Sequence, residues 1–254
     1  MGRKGKVGRL KRKPAPRFWP IHRKEAVWIV RPSSGPHSLE KCLPLSLVLR
    51  DILKVAETRK EAKKAISQGK VCVDGKVRRK DDFPVGLMDV ISMPDLNKFY
   101  RVLPSQKGLF LNPISKEEAS FKLLRVEGRT IVKNGNSQIA LHDGSNMLLK
   151  PQDSENPEVI YETFATLKLG LPEKQILDQL KTKKGNIAVI TGGKNIGKQG
   201  KIVEIEKTEA KKRRNALVVI EDEKGVRYQT ILDFVFSIGS AESLISLPEA
   251  KAVV

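Results

Sequence analysis

The chain has 254 residues, of which 39% are hydrophobic, enough to build a core and to exclude a wholly disordered protein. Its 48 Lys and Arg residues exceed its 29 Asp and Glu residues by 19 charges, so we expect a polyanionic partner. No apolar run approaches the roughly 20 residues that a membrane helix needs, and no apolar segment of the secretory type follows the basic start.

Cysteine and histidine give no sign of a metal or cofactor. Cys42 and Cys72 form no C-x-x-C pair, which excludes a zinc ribbon, and their separation makes a disulfide a weak alternative to two small core residues. His22 and His37 have no metal-like partners in the sequence, so we interpret them as polar surface residues or phosphate neighbours.

Residues 1–17 form a basic arm that contains no acid. It has almost nothing to bury, so we expect it to become ordered on a phosphate backbone, although a solvated tail or a localisation signal is the alternative. The predicted contacts are Arg3, Lys4, Lys6, Arg9, Lys11, Arg12, Lys13 and Arg17. Ala26–Val30 resembles a short strand, and we expect Trp19 and Trp28 to pack the arm onto its neighbour rather than to stack on bases.

Two amphipathic helices are predicted next. Pro44 suits a first helical position, and the apolar residues between Leu45 and Val55 share one arc, with Arg50 and Lys54 on the opposite side. Thr58 and Glu61 have the spacing of a capping box at the start of the second helix. Its basic stripe consists of Arg59, Lys60, Lys63 and Lys64, opposite Ala62, Ala65 and Ile66.

A β-hairpin follows the second helix. The period changes from 3.6 to 2 after Gly69, and Asp74-Gly75 between two alternating runs is a strong signal for a tight turn. The hairpin adds Lys70, Lys76, Arg78 and Arg79 to the positive surface, and a further strand is predicted at Asp89–Met93.

The order helix, helix, hairpin, strand resembles the S-four RNA-binding module, as do T-R-x-E-A before the second helix and G-K-V-x-V-D-G-K-V after it. The resemblance implies recognition of structured RNA by the second helix and the hairpin. Its best contact candidates are Arg59, Lys63, Gln68, Lys70 and Lys76. The alternative is that the stripe is only a solvated helix face.

Residues 105–180 indicate a second, mostly β region. Strands are predicted at Lys122–Val126, Thr130–Lys133, Gln138–His142, Ser145–Leu149 and Val159–Leu169, and a short helix from Pro172 to about Leu180. His142 and Asp143 are not interpreted as an acid–base pair, because they lie at a tight turn and neighbouring residues of a strand point to opposite faces. No nucleophile with a partnered base is apparent, so no catalytic residue is predicted.

Gly192–Lys198 has the spacing G-x-x-x-x-G-K of a phosphate-binding loop. Gln199 stands where Ser or Thr would be needed, and the period-2 pattern after it predicts a strand instead of a helix. We therefore reject a nucleotide-hydrolysing site.

The same stretch resembles the KOW motif, in which two strands of a small barrel are joined by a loop rich in Gly and Lys. Gly200 would enter the second strand, where a side chain would block close backbone approach. Short strands continue to Ile238, which suggests an SH3-like barrel. Its predicted phosphate contacts are Lys194, Lys198 and Lys201 in and after the loop, and Lys211, Lys212, Arg213 and Arg214 at a second tip.

Taken together, these parts resemble the archaeal and eukaryotic small-subunit ribosomal protein S-four-E family over nearly the full length. The similarity includes R-P-S-S-G-P-H, F-P-V-G-L-M-D-V-I and L-H-D-G-S-N. The implied fold is α+β and multidomain, with an S-four-like module, a central β domain and a C-terminal SH3-like KOW barrel. The predicted division is a basic extension at 1–42, the module at 43–104, the central domain at 105–180, the barrel at 181–239 and a C-terminal tail at 240–254 without an assigned role, of which Leu247–Val254 are expected to be loosely attached.

The resemblance implies a structural constituent of the small ribosomal subunit in the cytoplasm, without catalytic activity. Its expected partners are ribosomal RNA and neighbouring ribosomal proteins, with no membrane, cofactor or small-molecule substrate. One alternative is an RNA-modifying enzyme, since S-four modules also precede pseudouridine-forming domains, although residues 105–180 look too few for its catalytic domain. A second alternative is a KOW regulator that binds RNA polymerase or a stalled ribosome transiently.

Overall fold

The computed structural model describes residues 9–22, 24–132, 135–149, 161–206 and 213–248, without the side chain of Arg213. The described chain is mostly β, with three five-stranded sheets and two two-stranded ones, in which every strand pair is antiparallel. Within the described residues, no helix is both long and apolar enough to span a membrane.

The basic arm continues into the rest of the N-terminal extension, and the described residues of 9–42, called the arm from here on, are joined to the helix pair that follows. Strands β1 (Leu10–Lys11) and β2 (Trp28–Ile29) of the arm pair with each other. Strand β2 is shorter than the predicted Ala26–Val30. Trp19 is only 2% exposed, and its Nε1 donates a hydrogen bond to the carbonyl oxygen of Cys42 at 2.9 Å. Trp19 therefore packs the arm onto its neighbour, as predicted.

Both predicted helices form. Helix α1 (Leu45–Leu47) continues as a π-helical segment, Val48–Ile52, and helix α2 covers Arg59–Ser67. Strand β3 (Cys42–Pro44) leads into α1 and pairs with β6 (Pro84–Gly86). The apolar sides of both helices are buried in one core together with Trp19, which explains the amphipathic pattern.

The hairpin after α2 belongs to the first large sheet, whose strand order is β5-β4-β7-β8-β9. Asp74 and Gly75 have φ values of 53° and 72°, so the tight turn with two left-handed residues is confirmed. Strands β8 and β9 were not predicted, and their pairing continues this sheet beyond residue 104 to Pro113. The strands are β4 (Cys72–Val73), β5 (Lys76–Val77), β7 (Val90–Met93), β8 (Lys98–Ser105) and β9 (Gly108–Pro113).

The central sheet has the order β12-β11-β10-β13-β14 and corrects three predictions. Strand β10 (Phe121–Ile131) is one strand with a bulge between Val126 and Gly128, where two strands were predicted. The predicted strand Val159–Leu169 lies partly outside the described residues, and β13 begins only at Thr166. The strands are β10, β11 (Ser137–Leu141), β12 (Asn146–Leu149), β13 (Thr166–Gly170) and β14 (Gln175–Leu180).

The short helix predicted from Pro172 to about Leu180 is wrong. Strand β14 occupies Gln175–Leu180 and pairs with β13 from Gly170 to Thr166. The residues of this segment have good helix propensity, but pairing with the buried strand β13 supplies backbone hydrogen bonds and overrides that weak local preference.

The C-terminal sheet has the order β18-β17-β16-β15-β19. Its apolar residues form a core that includes Ala188, Ile202 and Val218. A strand, not a helix, follows the Gly/Lys-rich loop, as predicted, so the loop lacks the helix N-terminus that a phosphate-binding loop needs. The strands are β15 (Ile187–Ile190), β16 (Gln199–Glu206), β17 (Leu217–Glu221), β18 (Arg227–Ile231) and β19 (Val235–Gly239).

The segment after β19 packs on the body of the protein as far as the structure describes it. Ile245 is buried, and the hydroxyl of Ser246 donates to Glu118 Oε2 at 2.6 Å. Asn112 Nδ2 donates to the carbonyl oxygen of Ser246 at 2.8 Å. Leu247, the first residue of the segment predicted to be loosely attached, is partly buried against a core that includes Ile238 and Ile245, so that prediction is wrong at Leu247, while residues 249–254 lie outside the described part.

Candidate nucleic-acid interface

The arm presents most of its described cations to solvent. Arg9, Lys11, Lys13 and Arg17 are exposed, whereas Arg12 is half-buried and donates from Nε and Nη2 to the carbonyl oxygen of Ile21 at 3.1 and 2.9 Å. Arg12 therefore stabilises the fold of the arm. The predicted contacts Arg3, Lys4 and Lys6 lie outside the described residues.

Trp28 differs from Trp19, because its side chain remains 52% exposed on strand β2. The guanidinium carbon of Arg9 is 5.9 Å from the centre of its ring and Lys11 Nζ is 5.4 Å from it. Our expectation that both tryptophans serve to pack the arm is therefore wrong for Trp28, which presents an aromatic surface next to two cations.

Helix α2 has a fixed start and a basic outer face. Thr58 Oγ1 accepts a hydrogen bond from the Glu61 amide, and Glu61 Oε2 accepts one from the Thr58 amide, both at 3.3 Å, so the capping box is confirmed. Glu61 Oε2 also accepts a hydrogen bond from the Glu57 amide at 3.0 Å. The bond from the Glu57 amide and, after it, the bonds with Thr58 lower the pKa of Glu61. The exposed residues of this face are Arg59, Lys60, Lys63, Lys64 and Gln68.

One residue of this basic face has a carboxylate partner. Arg59 Nη2 is 3.0 Å from Asp81 Oδ2. Lys60, Lys63 and Lys64 form no ion pair with any described residue. In the preceding helix, Arg50 is held by Asp51, with Nη2 and Oδ2 2.9 Å apart, while Lys54 is exposed.

The hairpin and the C-terminal loop place further cations on the surface. Lys70, Lys76 and Arg79 are exposed, and Arg78 is half-buried with its guanidinium 4.3 Å from the ring centre of Phe83. Lys194 and Lys201 are exposed as well, and Lys198 Nζ is 5.7 Å from the ring centre of Tyr228.

The second predicted tip of this sheet is only partly described. Arg214 is exposed and forms an ion pair with Glu127 Oε2 at 3.6 Å. Lys211, Lys212 and the side chain of Arg213 lie outside the described residues.

The fold brings some of these cations together around two cavities. The first, of about 660 Å³, lies between the arm and the helix pair and is lined by Arg50, Lys54, Arg59 and Trp28. The second, of about 680 Å³, lies between the arm, the β8–β9 turn and the C-terminal sheet and is lined by Arg17 and Arg214. Of the predicted contacts that the structure describes, the others do not line either cavity.

A buried network of charges, which the sequence reading missed, joins the arm, the first sheet and the central sheet. Lys122 Nζ is 2.5 Å from Asp89 Oδ1, 2.7 Å from Asp74 Oδ2 and 3.7 Å from Asp143 Oδ2. Burial opposes the charge of Lys122, but the three carboxylates outweigh burial and raise its pKa. The only sequence signal was a lysine next to the apolar pair Leu123 and Leu124 in a predicted strand.

His37 belongs to the same network, so its prediction as a polar surface residue is wrong. Its side chain is buried, and Nε2 is 3.1 Å from Asp89 Oδ2. Burial alone would raise the pKa of Asp89, but Lys122 and His37 hold it well below its usual range. Gly86 lets the ring approach, since a Cβ at that position would lie 2.3 Å from His37 Cγ.

His142 and Asp143 are both held by contacts within the fold. His142 Nδ1 accepts from the Arg125 amide at 3.1 Å, and Nε2 lies 3.2 Å from the carbonyl oxygen of Leu87. Burial and then the charge of Lys122 lower the pKa of His142 to about 3. In the part of the chain that the structure describes, no group of His, Cys, Asp and Glu has the arrangement of a metal site.

Comparison with known proteins gives a consistent result along the chain. Residues 4–40 match the RS4NT domain, residues 44–91 the S4 domain, and residues 96–176 the ribosomal family S4e. The small ribosomal subunit protein eS4 of Staphylothermus marinus is 49% identical over 251 residues, covering 98% of this chain and 99% of the relative. That of Methanocaldococcus jannaschii is 42% identical over 252 residues, covering 97% and 100%.

A solved structure agrees with this similarity. The crystal structure of the 30S ribosomal protein S4e from Thermoplasma acidophilum matches with a TM-score of 0.64 and 31% identity. The match covers 79% of this chain and 96% of that one.

Proposed function

The chain belongs to ribosomal family S4e, and we propose that, as a constituent of the small ribosomal subunit, it binds folded ribosomal RNA through several separate basic surfaces. It is located in the cytoplasm as part of the ribosome, and its partners are ribosomal RNA and ribosomal proteins. On this proposal it acts by binding alone, with no catalysed reaction, cofactor, membrane or small-molecule substrate.

The observation that carries the proposal is a difference between the buried cations, which are paired with carboxylates, and the exposed cations of α2, most of which are not. Buried cations such as Lys122 and Arg101 are paired with carboxylates, the latter with Glu118 at 3.1 Å. On α2, Lys60, Lys63 and Lys64 are exposed and have no carboxylate partner among the described residues. A rigid row of unneutralised cations favours a polyanion, because each neutralised phosphate releases condensed counterions.

The proposed contacts fall into three groups, on the arm, on the module and on the C-terminal sheet. Arginines that are held by their own carboxylates, such as Arg50 and Arg59, would contribute less than free lysines, since RNA would have to compete for them. Cations on separate elements would let one chain hold together RNA segments that repel each other. Because RNA helices expose backbone and 2′-hydroxyls more than base edges, recognition would rest on shape.

We also propose that the C-terminal sheet is an SH3-like KOW barrel. The support is a Gly/Lys-rich loop between β15 and β16 and the close approach at Gly200, where a Cβ would lie 2.2 Å from the carbonyl oxygen of Glu221. We likewise propose that the chain divides into parts at residues 42, 104, 180 and 239. The first sheet extends across the boundary at residue 104, because β9 pairs with β8 and ends at Pro113.

A salt titration of RNA binding tests the proposed function. We expect the logarithm of the affinity for folded small-subunit ribosomal RNA to fall linearly with the logarithm of salt concentration, with a slope of several units. A flat titration would show that phosphate contacts do not carry binding. Absence of the chain from salt-washed small subunits would contradict its role as a stable constituent.

A further inference from the structure

The cavity of about 660 Å³ between the arm and the helix pair is a separate feature from the basic surfaces around it. We propose that it is a base-binding site: an unpaired RNA base enters it and stacks on Trp28. This inference rests on the proposed function, because the base belongs to the bound ribosomal RNA. The volume lies in the range of pockets that hold small organic molecules and is ample for one nucleoside.

Trp28 supplies the stacking surface. It lines the cavity and is 52% exposed, whereas Trp19 is 2% exposed. Exposure of so large an apolar side chain is unfavourable unless a partner covers it. Every base has an aromatic face that can stack on indole, and Arg9 and Lys11 stand near the ring, where the phosphate of a stacked nucleotide would be neutralised.

Ser46, at the start of α1, is a second and independent observation. It lines the same cavity and is 2% exposed, yet its hydroxyl has no hydrogen-bond partner in the described part of the chain. Buried hydroxyl groups are nearly always hydrogen-bonded, and one left without a partner is unfavourable for folding. A base or ribose in the cavity would supply the missing partner.

The charges of the lining favour a neutral, polar occupant over a phosphate. The carboxylates of Glu25, Asp51 and Glu57 line the cavity together with the cations Arg50, Lys54 and Arg59, so the lining has no net charge and a phosphate inside would meet as many carboxylates as cations. The same carboxylates can accept hydrogen bonds from the amino groups of a base or from ribose hydroxyls. Exposed Lys54 then remains available for the flanking phosphates.

Four variants of the full-length protein test the proposal by binding to folded small-subunit ribosomal RNA. W28L should lower the affinity roughly 5-fold to 150-fold, the range for loss of one base–aromatic stack, and W28F should lower it less. Because stacking involves no counterions, the salt slope should stay unchanged in both variants. V27A changes an exposed neighbour that does not line the cavity and should bind like the wild type.

S46A separates binding from stability. Removing an unpartnered buried hydroxyl should leave the melting temperature equal or higher, while the RNA affinity falls several-fold because the partner of the base is lost. A purely structural role for Ser46 predicts the opposite combination, a lower melting temperature with unchanged affinity. Agreement of S46A with that combination would overturn the assignment.

Fluorescence gives a direct readout of the stack. A short single-stranded oligoadenylate should quench the emission of the wild type and not that of W28F, which retains only buried Trp19. A blunt RNA duplex without unpaired bases should quench neither.

Wild-type affinity for RNA in W28L and S46A would refute the base site while leaving the proposed function intact. If W28L then failed to enter subunits, the cavity would be assigned to a segment of a neighbouring protein. A wild type that does not bind folded RNA would refute the proposed function itself.

Discussion

The ammonium group of Lys122, in the middle of the protein, lies 2.7 Å from Oδ2 of Asp74, in the turn of a surface hairpin. The other oxygen of Asp74 accepts a hydrogen bond from the amide of Val90 at 3.0 Å. Asp74 thus shapes the turn of the predicted RNA-binding module and also ties that module to the central sheet. The position of the basic hairpin is therefore linked to a charge that is buried away from solvent.

The first prediction concerns the stability of this network. K122M removes the ammonium group that pairs with both Asp74 and Asp89, so that among the described residues Asp74 loses its only ion-pair partner and Asp89 keeps only His37. We expect the free energy of unfolding to fall by about 3–5 kcal/mol in urea titrations. The control is K181M, whose lysine is about half exposed and 3.9 Å from Glu162, and it should change stability by less than about 1 kcal/mol. Equal effects of both variants would refute the role of Lys122.

The second prediction concerns pH. The pKa of His142 is lowered to about 3 by burial and by Lys122, so the unfolded chain binds a proton there below about pH 6.5 that the folded chain does not. Stability from this group is therefore complete above pH 6.5 and is lost as the pH falls toward 3, by up to roughly 1.4 kcal/mol per pH unit.

The measurement is the difference in unfolding free energy between the wild type and H142Q at several pH values from 7 to 4. Asp74 has a raised pKa, from burial and then Asp89, and titrates with the opposite sign, but it is present in both proteins and cancels. The difference should shrink as the pH falls. H22Q, at an exposed histidine, should show a constant difference. A pH-independent difference for H142Q would contradict the burial of a neutral imidazole.

The third prediction concerns the basic face of α2. Reversing Arg59 and Lys63 in R59E/K63E should weaken binding to folded ribosomal RNA by at least about tenfold and reduce the salt slope by roughly one to two, because Lys63 loses a full phosphate contact and Arg59, already held by Asp81, contributes less. The fold should persist, because both side chains are exposed, although the Arg59–Asp81 pair is lost.

K98E/K116E is the matched control for this reversal. It changes the net charge by the same amount at two exposed lysines outside the predicted contacts, and it should leave the salt slope close to the wild-type value. If both double variants lose affinity equally, binding depends on total charge and not on the face of α2. Circular dichroism should show the same spectrum for both.

The fourth prediction concerns Gly200 in the C-terminal sheet. A methyl group in G200A would stand 2.2 Å from the carbonyl oxygen of Glu221 on the neighbouring strand, so β16 and β17 must separate. We expect a loss of about 1–3 kcal/mol in unfolding free energy. G128A, at the bulge of β10, meets no described atom within 4 Å and should cost less than about 1 kcal/mol. Unchanged stability in G200A would show that the close approach is not required.

Local features were predictable from the sequence because their causes are local. The capping box of Thr58 and Glu61 and the turn at Asp74-Gly75 depend on residues a few positions apart, and both form as predicted. The apolar arc of the first helix likewise identified most of the side that is buried, although the helical segment ends at Ile52 and Val55 is 45% exposed. Where pairing with a distant strand competes with local preference, as at Gln175–Leu180, the sequence indicated the wrong element.

The sequence by itself determined the charge excess, the helix pair with its basic stripe, and the resemblance that indicated the family, since composition and short-range patterns are printed in the chain. Only the tertiary structure decided which charged residues face inward. Lys122 and Lys63 look alike in the sequence, yet one lies among three carboxylates and the other at the surface. His37 and Asp89 are 52 residues apart, and the contact that buries both exists only because the arm folds back over the first sheet. Burial depends on which distant segments meet, and that physical fact has no short-range signature.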